Sequence, residues 1–230
     1  MLNLRLADFN FLIDNKYGYL EETCADYLSD GTPHLSVTVT EEEIKREQAD
    51  GVDNMGYLES LAVYRKIAEW LPCHDAFLMH GTVIDVDGCG IAFLAKSGVG
   101  KTTHMTNWKA LLGNRLTVVN GDKPLIRLVD GNLYAYGTPW AGKERLHTNM
   151  KTPLKKVCFI ERATSNSCEK LDKNVLHRLL PQVYKPADQN ALVKTLGILD
   201  KVIEGVDFYT IKCNKELSSA EIAYNEIINN

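Results

Sequence analysis

The sequence lacks a C-x-x-C pair, a long apolar run and a basic field. Its six cysteines, Cys24, Cys73, Cys89, Cys158, Cys168 and Cys213, are scattered, so zinc spacing is absent and no disulfide framework is needed in a chain of 230 residues. Reduced cysteines are the plain reading and suggest a cytoplasmic protein. The longest apolar runs fall far short of the roughly 20 residues that cross a bilayer. The opening Met1-Leu2-Asn3-Leu4-Arg5 lacks the basic-then-apolar layout of a secretory signal. A net charge of −4 argues against nucleic acid or an anionic membrane as partner. Repeats, low-complexity tracts and obvious linkers are missing too. What remains is an ordinary globular composition, 45% hydrophobic and 24% charged. Its length suits one large domain, or a domain with a small companion. Self-association stays open.

The chain is organised around residues 90–103, where an apolar run leads into Ser97-Gly98-Val99-Gly100-Lys101-Thr102-Thr103 and a helical pattern follows. This order of strand, small-residue loop and helix start is what phosphate binding requires. Small residues let backbone N–H groups turn inward, and the new helix aims its unpaired amides at the same anion. Lys101 would reach the β- and γ-phosphates, and the Thr102 hydroxyl would hold Mg²⁺. Ala95 stands where the usual G-x-x-x-x-G-K-[ST] pattern has its first Gly. The plainer alternative is a glycine-containing turn with an exposed lysine.

Upstream, alternation and apolar runs predict short strands within residues 1–14 and at 35–39, with a helix over about 17–28 between them. Thr40 and Glu43 form a capping box opening a short acidic helix, and residues 48–56 read as a loop. A strong amphipathic helix follows over 57–71, ending at Pro72. Downstream, 76–86 and 90–95 read as a hairpin, 101–112 as a helix, and 116–120 as a buried strand. A second hairpin covers 124–129 and 132–137. Residues 137–153 read as a long polar loop, which in a compact domain is usually functional. A strand over 153–162, helices over about 175–184 and 187–203, a strand over 207–213 and a helix from Ser218 complete the chain.

Asp122 ends the strand that follows the first helix, where an acidic residue commonly helps to hold Mg²⁺ or accepts a proton. After Gly121 it could also be a simple turn residue. His80 precedes the loop, with packing or surface roles as alternatives. Lys143 and Arg145 in the long loop could stabilise a transferring phosphoryl group, or could simply be exposed cations. Punctuated by Gly137, Pro139 and Gly142 and with Trp140 to exclude water, that loop has the composition of a lid.

The run His80-Gly81-Thr82-Val83-Ile84-Asp85-Val86-Asp87-Gly88-Cys89-Gly90-Ile91, the Ser97 to Thr103 loop and the Asn120-Gly121-Asp122 strand end together resemble the catalytic domain of HPr kinase/phosphorylase. That family has an HG-x-V…G-x-G opening, an S-G-x-G-K-[ST] loop and an Asp-Asp pair one strand later, and is related to phosphoenolpyruvate carboxykinases. Residues 120–124 and 137–144 resemble bacterial relatives of that kinase. The resemblance covers about 76–130, and more loosely the rest of the C-terminal part. It implies an α/β phosphate-loop fold over residues 73–230, with 1–72 as a small N-terminal α/β extension. It also implies ATP and Mg²⁺ as cofactors and places His80 beside the phosphoryl-transfer centre. Two departures stand out: Gly121 occupies the position of the family's first Asp, which is placed to act as base, and the loop after 137 does not match. The phosphorylase activity is therefore not carried over.

The expected function is an ATP- and Mg²⁺-dependent kinase acting on a hydroxyl of a protein, peptide or small molecule. A nucleotide-dependent binding or regulatory protein is the alternative. A carboxykinase-like enzyme is a third reading, for whose substrate domain 230 residues leave little room.

Overall fold

A computed structural model describes residues 1–49 and 52–229. Asp50 and Gly51, in the expected loop 48–56, lie outside the described residues. The described residues form a mixed α/β structure with two sheets.

The first sheet has three strands. Strands β1 (Leu2–Leu6) and β2 (Phe9–Asp14) form a hairpin in the register Leu2↔Ile13 to Leu6↔Phe9. Its turn uses left-handed Ala7 and Asp8, as two-residue hairpin loops require. β3 (Leu35–Thr38) pairs parallel to β2. The helix expected over 17–28 is shorter: α1 (Tyr19–Thr23) gives way to a 3₁₀ turn over Ala25–Tyr27. Gly18 supplies no side-chain cap and Cys24 leaves helical geometry, so neither end supports extension. α2 (Glu41–Arg46) starts with the Thr40/Glu43 capping box, closed by bonds of 3.2 and 2.8 Å. α3 (Met55–Trp70) starts at Asn54, whose side chain accepts from the amide of Tyr57.

The second sheet has nine strands. In chain order these are β4 (Ala76–Leu78), β5 (Thr82–Val86), β6 (Cys89–Leu94), β7 (Leu116–Asn120), β8 (Leu125–Val129), β9 (Asn132–Tyr136), β10 (Lys151–Arg162), β11 (Ser167–Lys170) and β12 (Asp207–Cys213). Helix α4 (Lys101–Leu112) links β6 to β7, while α5 (Leu176–Leu179) and α6 (Gln189–Gly205) precede β12; α7 (Ser218–Ile228) follows it. β6, β10 and β12 run parallel, so their C-terminal ends share one edge of the sheet.

The single strand expected over 76–86 is broken. β4 pairs with β8, whereas β5 pairs with β6 and β7, and the chain crosses between them at residues 79–81. Their amides go elsewhere: Met79 donates to Pro124 O, His80 to Gln182 O and Gly81 to Asp122 O. The helix expected over 175–184 ends at Leu179 and continues as a 3₁₀ turn over Leu180–Gln182, because Pro181 cannot donate into an α-helical ladder. β11 was not expected from sequence. The loop expected over 137–153 ends earlier, with β10 starting at Lys151.

Side chains of β6 alternate between two cores, as in a strand covered on both faces. Ile91 and Phe93 pack with Met105 and Trp108 of α4 and Ala220 and Ala223 of α7. Ala92 and Leu94 pack with Leu179, Ile198 and Val202 on the other face. The N-terminal sheet and α3 share a third core with Leu125, Tyr136 and Trp140 of the C-terminal part.

Candidate active site

β6 delivers the chain to residues 95–100, and α4 begins at Lys101. Gly98 (φ +77°) and Gly100 (φ +126°) take backbone conformations that side chains with a Cβ adopt only under strain, and a Cβ at either would meet nothing within 4 Å. Conformation, not crowding, therefore calls for glycine here. The turn is closed by the amide of Val99 on Lys96 O at 3.3 Å. Ser97, Gly98, Thr102 and Thr103 are exposed, whereas Lys101 is only 9% exposed and donates to Ala95 O at 3.0 Å. Burial lowers the pKa of the Lys101 ammonium, and the charge of Asp122 works against that.

Arg162, at the end of β10, clamps this loop from the neighbouring strand. Its guanidinium donates to Val99 O at 2.9 Å and also to Gly98 O. With those two carbonyls engaged by Arg162, the loop's shape is tied to the sheet edge. No motif singled this arginine out in the sequence.

Asp122 sits just beyond β7. His80, in the crossing between β4 and β5, lies with Nε2 3.3 Å from Asp122 Oδ1. Two residues 42 positions apart, each a candidate from sequence, are thus brought into contact. Burial alone would raise the Asp122 carboxyl's pKa. The hydrogen bond from His80 and the positive charges of Lys123, His80 and Lys101 outweigh burial and hold it below the usual carboxylate value.

The turn carrying Asp122 is built by Asn120, which is wholly buried. Its side-chain oxygen accepts the amides of Asp122 (2.8 Å) and Lys123 (2.7 Å), and its NH₂ group donates to Thr138 O (2.9 Å) and Oγ1 (3.0 Å). Tyr64 and Thr138 hydroxyls both donate to Lys123 O. Asn-Gly-Asp is a sequence signal for such a side-chain-closed turn; the partners Tyr64 and Thr138 leave no such signal. Gly121 has a steric reason, because a Cβ there would lie 2.9 Å from Ala141 O and 3.2 Å from Leu146 O. The 137–150 segment fills the space that an aspartate side chain would need.

That segment is not a wholly polar loop. Thr138, Trp140 and Ala141 are buried; positions 142–145 form an exposed tip before half-buried Leu146 and His147, and Thr148 and Asn149 are exposed again. Trp140 was expected to offer a water-excluding surface, but it is an anchor packed against α3. Lys143 and Arg145 lie at the tip and line the cleft; Arg145, at φ +49°, places its guanidinium 5.9 Å from the Tyr19 ring centroid. Neither is held on the glycine loop at 97–100. His147 behind the tip pairs with the Tyr27 hydroxyl at 3.1 Å.

The glycine loop, Lys101, His80, Asp122, Arg162 and the 142–145 tip line one cleft of about 1470 Å³. It opens at the C-terminal ends of β6, β10 and β12, the edge where open α/β sheets place ligands. Among the described residues no helix is long and apolar enough to cross a membrane.

No family model and no curated protein matches the chain. Among solved structures it is similar to the Hpr(Ser) kinase/phosphatase from Coxiella burnetii, with a TM-score of 0.31 and 10% identity over 54% of this chain and 90% of that one. A likeness that low says nothing about what this chain does.

Proposed function

We propose that the chain is an ATP- and Mg²⁺-dependent kinase that transfers the γ-phosphoryl group to a hydroxyl. The observation that carries this reading is the meeting of His80 and Asp122, in contact at 3.3 Å, in the cleft that the glycine loop and Lys101 also line. One side of the cleft suits phosphates and the other suits proton removal. The sequence resemblance to HPr kinases supports the same assignment.

Among the described residues no group of three or more His, Cys, Asp or Glu side chains could hold a metal alone. Mg²⁺ bound with a nucleotide takes most of its oxygens from phosphates and water and needs one or two from protein. The exposed Thr102 hydroxyl and the ionised Asp122 carboxylate fit that need. When bound, the metal would neutralise phosphate charge.

The chain's own groups would act as follows. Loop amides and Lys101 hold the phosphates, and the acceptor hydroxyl faces the His80–Asp122 pair. As the acceptor oxygen bonds to the γ-phosphorus, the bond to the β–γ bridging oxygen breaks and ADP leaves with that electron pair. The hydroxyl proton passes to Asp122 or His80 and then to solvent.

The crowding at Gly121 favours one second reading, a nucleotide-dependent regulatory protein without transfer, because no carboxylate fits where the resembled kinases carry their first Asp. Turnover in the unaltered protein separates the two, and Asp122→Asn tests the residue assigned to it. The kinase reading expects ATP still to bind while Mg²⁺-dependent turnover falls by on the order of 10²-fold or more. ATP binding without any turnover in the unaltered protein, across acceptors in a cell extract, supports the regulatory reading.

A further inference from the structure

The glycine loop and the His80–Asp122 pair hang on different strands, so the distance between them has to be set by what lies between. The loop follows β6, Asp122 follows β7, and β5 separates those two strands. His80, Gly81 and Thr82 bring the chain into β5. That short segment is bonded to one neighbour and pressed against the other.

The ladder between β5 and β7 is irregular at this end. Val83 pairs with Asn120 but Ile84 with Val118, so Val119 is an extra residue, a β-bulge. A bulge interrupts pairing and bends its strand, and here the Val119 carbonyl accepts the Thr148 amide at 3.2 Å. Beyond the bulge two bonds rejoin the strands. The Gly81 amide donates to Asp122 O at 2.8 Å, and the Thr82 hydroxyl donates to Gly121 O, also at 2.8 Å. Thr82 is 0% exposed and stands opposite Phe93 of β6. A Cβ on Gly81 would lie 3.1 Å from Phe93 O, so the segment sits closely against the strand that feeds the glycine loop.

Asn120 shapes the Asp122 turn from within, because it belongs to β7 itself and its side chain takes the Asp122 and Lys123 amides. Its own NH₂ group reaches Thr138, not β5. The two bonds to residues 81 and 82 therefore set where the turn stands relative to His80. One is made by the backbone and survives any change of side chain. The other depends on the Thr82 hydroxyl.

We propose that Thr82 is a positioning residue: by holding Gly121 O it fixes the Asp122 carboxylate against His80 and at a set distance from the glycine loop. Thr82 does not line the cleft, so it acts through Asp122 and touches no bound ligand. Its part in turnover rests on the kinase reading above, whereas its hold on the turn does not.

The test uses two variants. Thr82→Val keeps the branched shape and loses the hydroxyl, and Thr82→Ser keeps the hydroxyl. In Thr82→Val, Mg-ATP turnover should fall by about ten- to a hundredfold, the scale of a small misplacement of reacting groups. ATP affinity, read with a fluorescent analogue, should stay within about twofold. Thr82→Ser should recover most of the lost turnover. Adding Thr82→Val to Asp122→Asn should lower turnover little further, as expected of a residue that acts through another. A second readout needs no activity. Amide hydrogen exchange in the free protein, followed by NMR, should quicken at least tenfold more at Gly81 than in the core of α3 when Thr82 becomes Val.

Unchanged turnover in Thr82→Val, an equal loss in Thr82→Ser, or losses that multiply in the double variant would overturn the proposal. So would exchange that is unchanged at Gly81 or quickens evenly throughout, since a purely structural hydroxyl predicts the latter. If the unaltered protein binds ATP without turning it over, the kinase reading fails, and the Gly81 exchange still decides whether Thr82 holds the turn.

Discussion

Trp140 lies flat on Tyr64, with ring centroids 3.9 Å apart and planes 3° from parallel, and its indole N–H donates to Ser60 O at 3.1 Å. The base of the 137–150 segment is thereby fastened to α3. Within this segment, movement at the cleft falls to the exposed tip at 142–145. Trypsin should cut the native protein in this segment only after Lys143 and Arg145, and nucleotide should slow those cuts. In Trp140→Ala, loss of a buried indole should cost about 3–5 kcal/mol, lower the melting temperature and extend cleavage to Lys151. Unchanged stability and an unchanged cleavage pattern would contradict the anchoring role.

Lys101→Ala removes a largely buried cation at the start of α4. ATP affinity or turnover should fall by on the order of 10²-fold, with the circular dichroism spectrum preserved. Equal ATP binding and turnover in the folded variant would remove the phosphate-loop reading.

Much of this arrangement was legible in the sequence because it rests on local patterns. The turn glycines Gly98 and Gly100, the periodicity of α3 and the capping box at Thr40 each act within a few residues. What was missed acts at a distance. Trp140 read as lid material because one anchor residue produces no periodicity, and its partner Tyr64 lies 76 positions earlier. Arg162 is a strand-end cation like many others until β10 is set beside β6. Gly121 read as a substituted aspartate, yet its cause is the backbone of Ala141 and Leu146 pressing against it. The break at His80 was hidden because Ala76–Leu78 and Thr82–Val86 look like one continuous strand until their different partners are seen.

Arg162→Met should weaken ATP binding by about tenfold, the equivalent of one charge-assisted hydrogen bond at roughly 1.4 kcal/mol. The side chain is exposed, so the melting temperature should move little. Arg162→Lys retains the charge and one donor and should recover part of the affinity. A purely structural role would show the reverse pattern, a lower melting temperature with ATP affinity unchanged.

Asn120→Asp changes almost no volume but replaces the NH₂ donor with an acceptor facing two Thr138 oxygens. Leaving such a buried group unpaired costs about 1–3 kcal/mol, and more if it is charged. The substitution should lower stability and misplace the Asp122 turn, so turnover should fall further than ATP affinity. Asn120→Asp with wild-type stability would show that the buried network contributes little.

The last expectation concerns acid. His104 on α4 is 2% exposed, and its Nε2 accepts the Trp108 indole N–H at 2.9 Å, which assigns the ring proton to Nδ1. Burial depresses its pKa from 6.5 to about 4. Below pH 6.5 the unfolded chain therefore takes up a proton that the folded chain refuses until about pH 4. Stability should fall as pH drops through that window, by ~3 kcal/mol in total at about 1.4 kcal/mol per pH unit. Asp122 acts in a different range: its depressed pKa protects stability above the usual carboxylate value, and that contribution is lost only as pH falls through the lower folded value. His147, also shifted down by burial, slopes the same way as His104. His104→Gln keeps an acceptor for Trp108 without titrating, so its stability should depend less steeply on pH between 6.5 and 4, though some slope persists. Urea unfolding at half-unit pH steps reads this directly. Identical slopes in the variant and the unaltered protein would mean that His104 is protonated in the fold and that the Trp108 hydrogen bond is made differently.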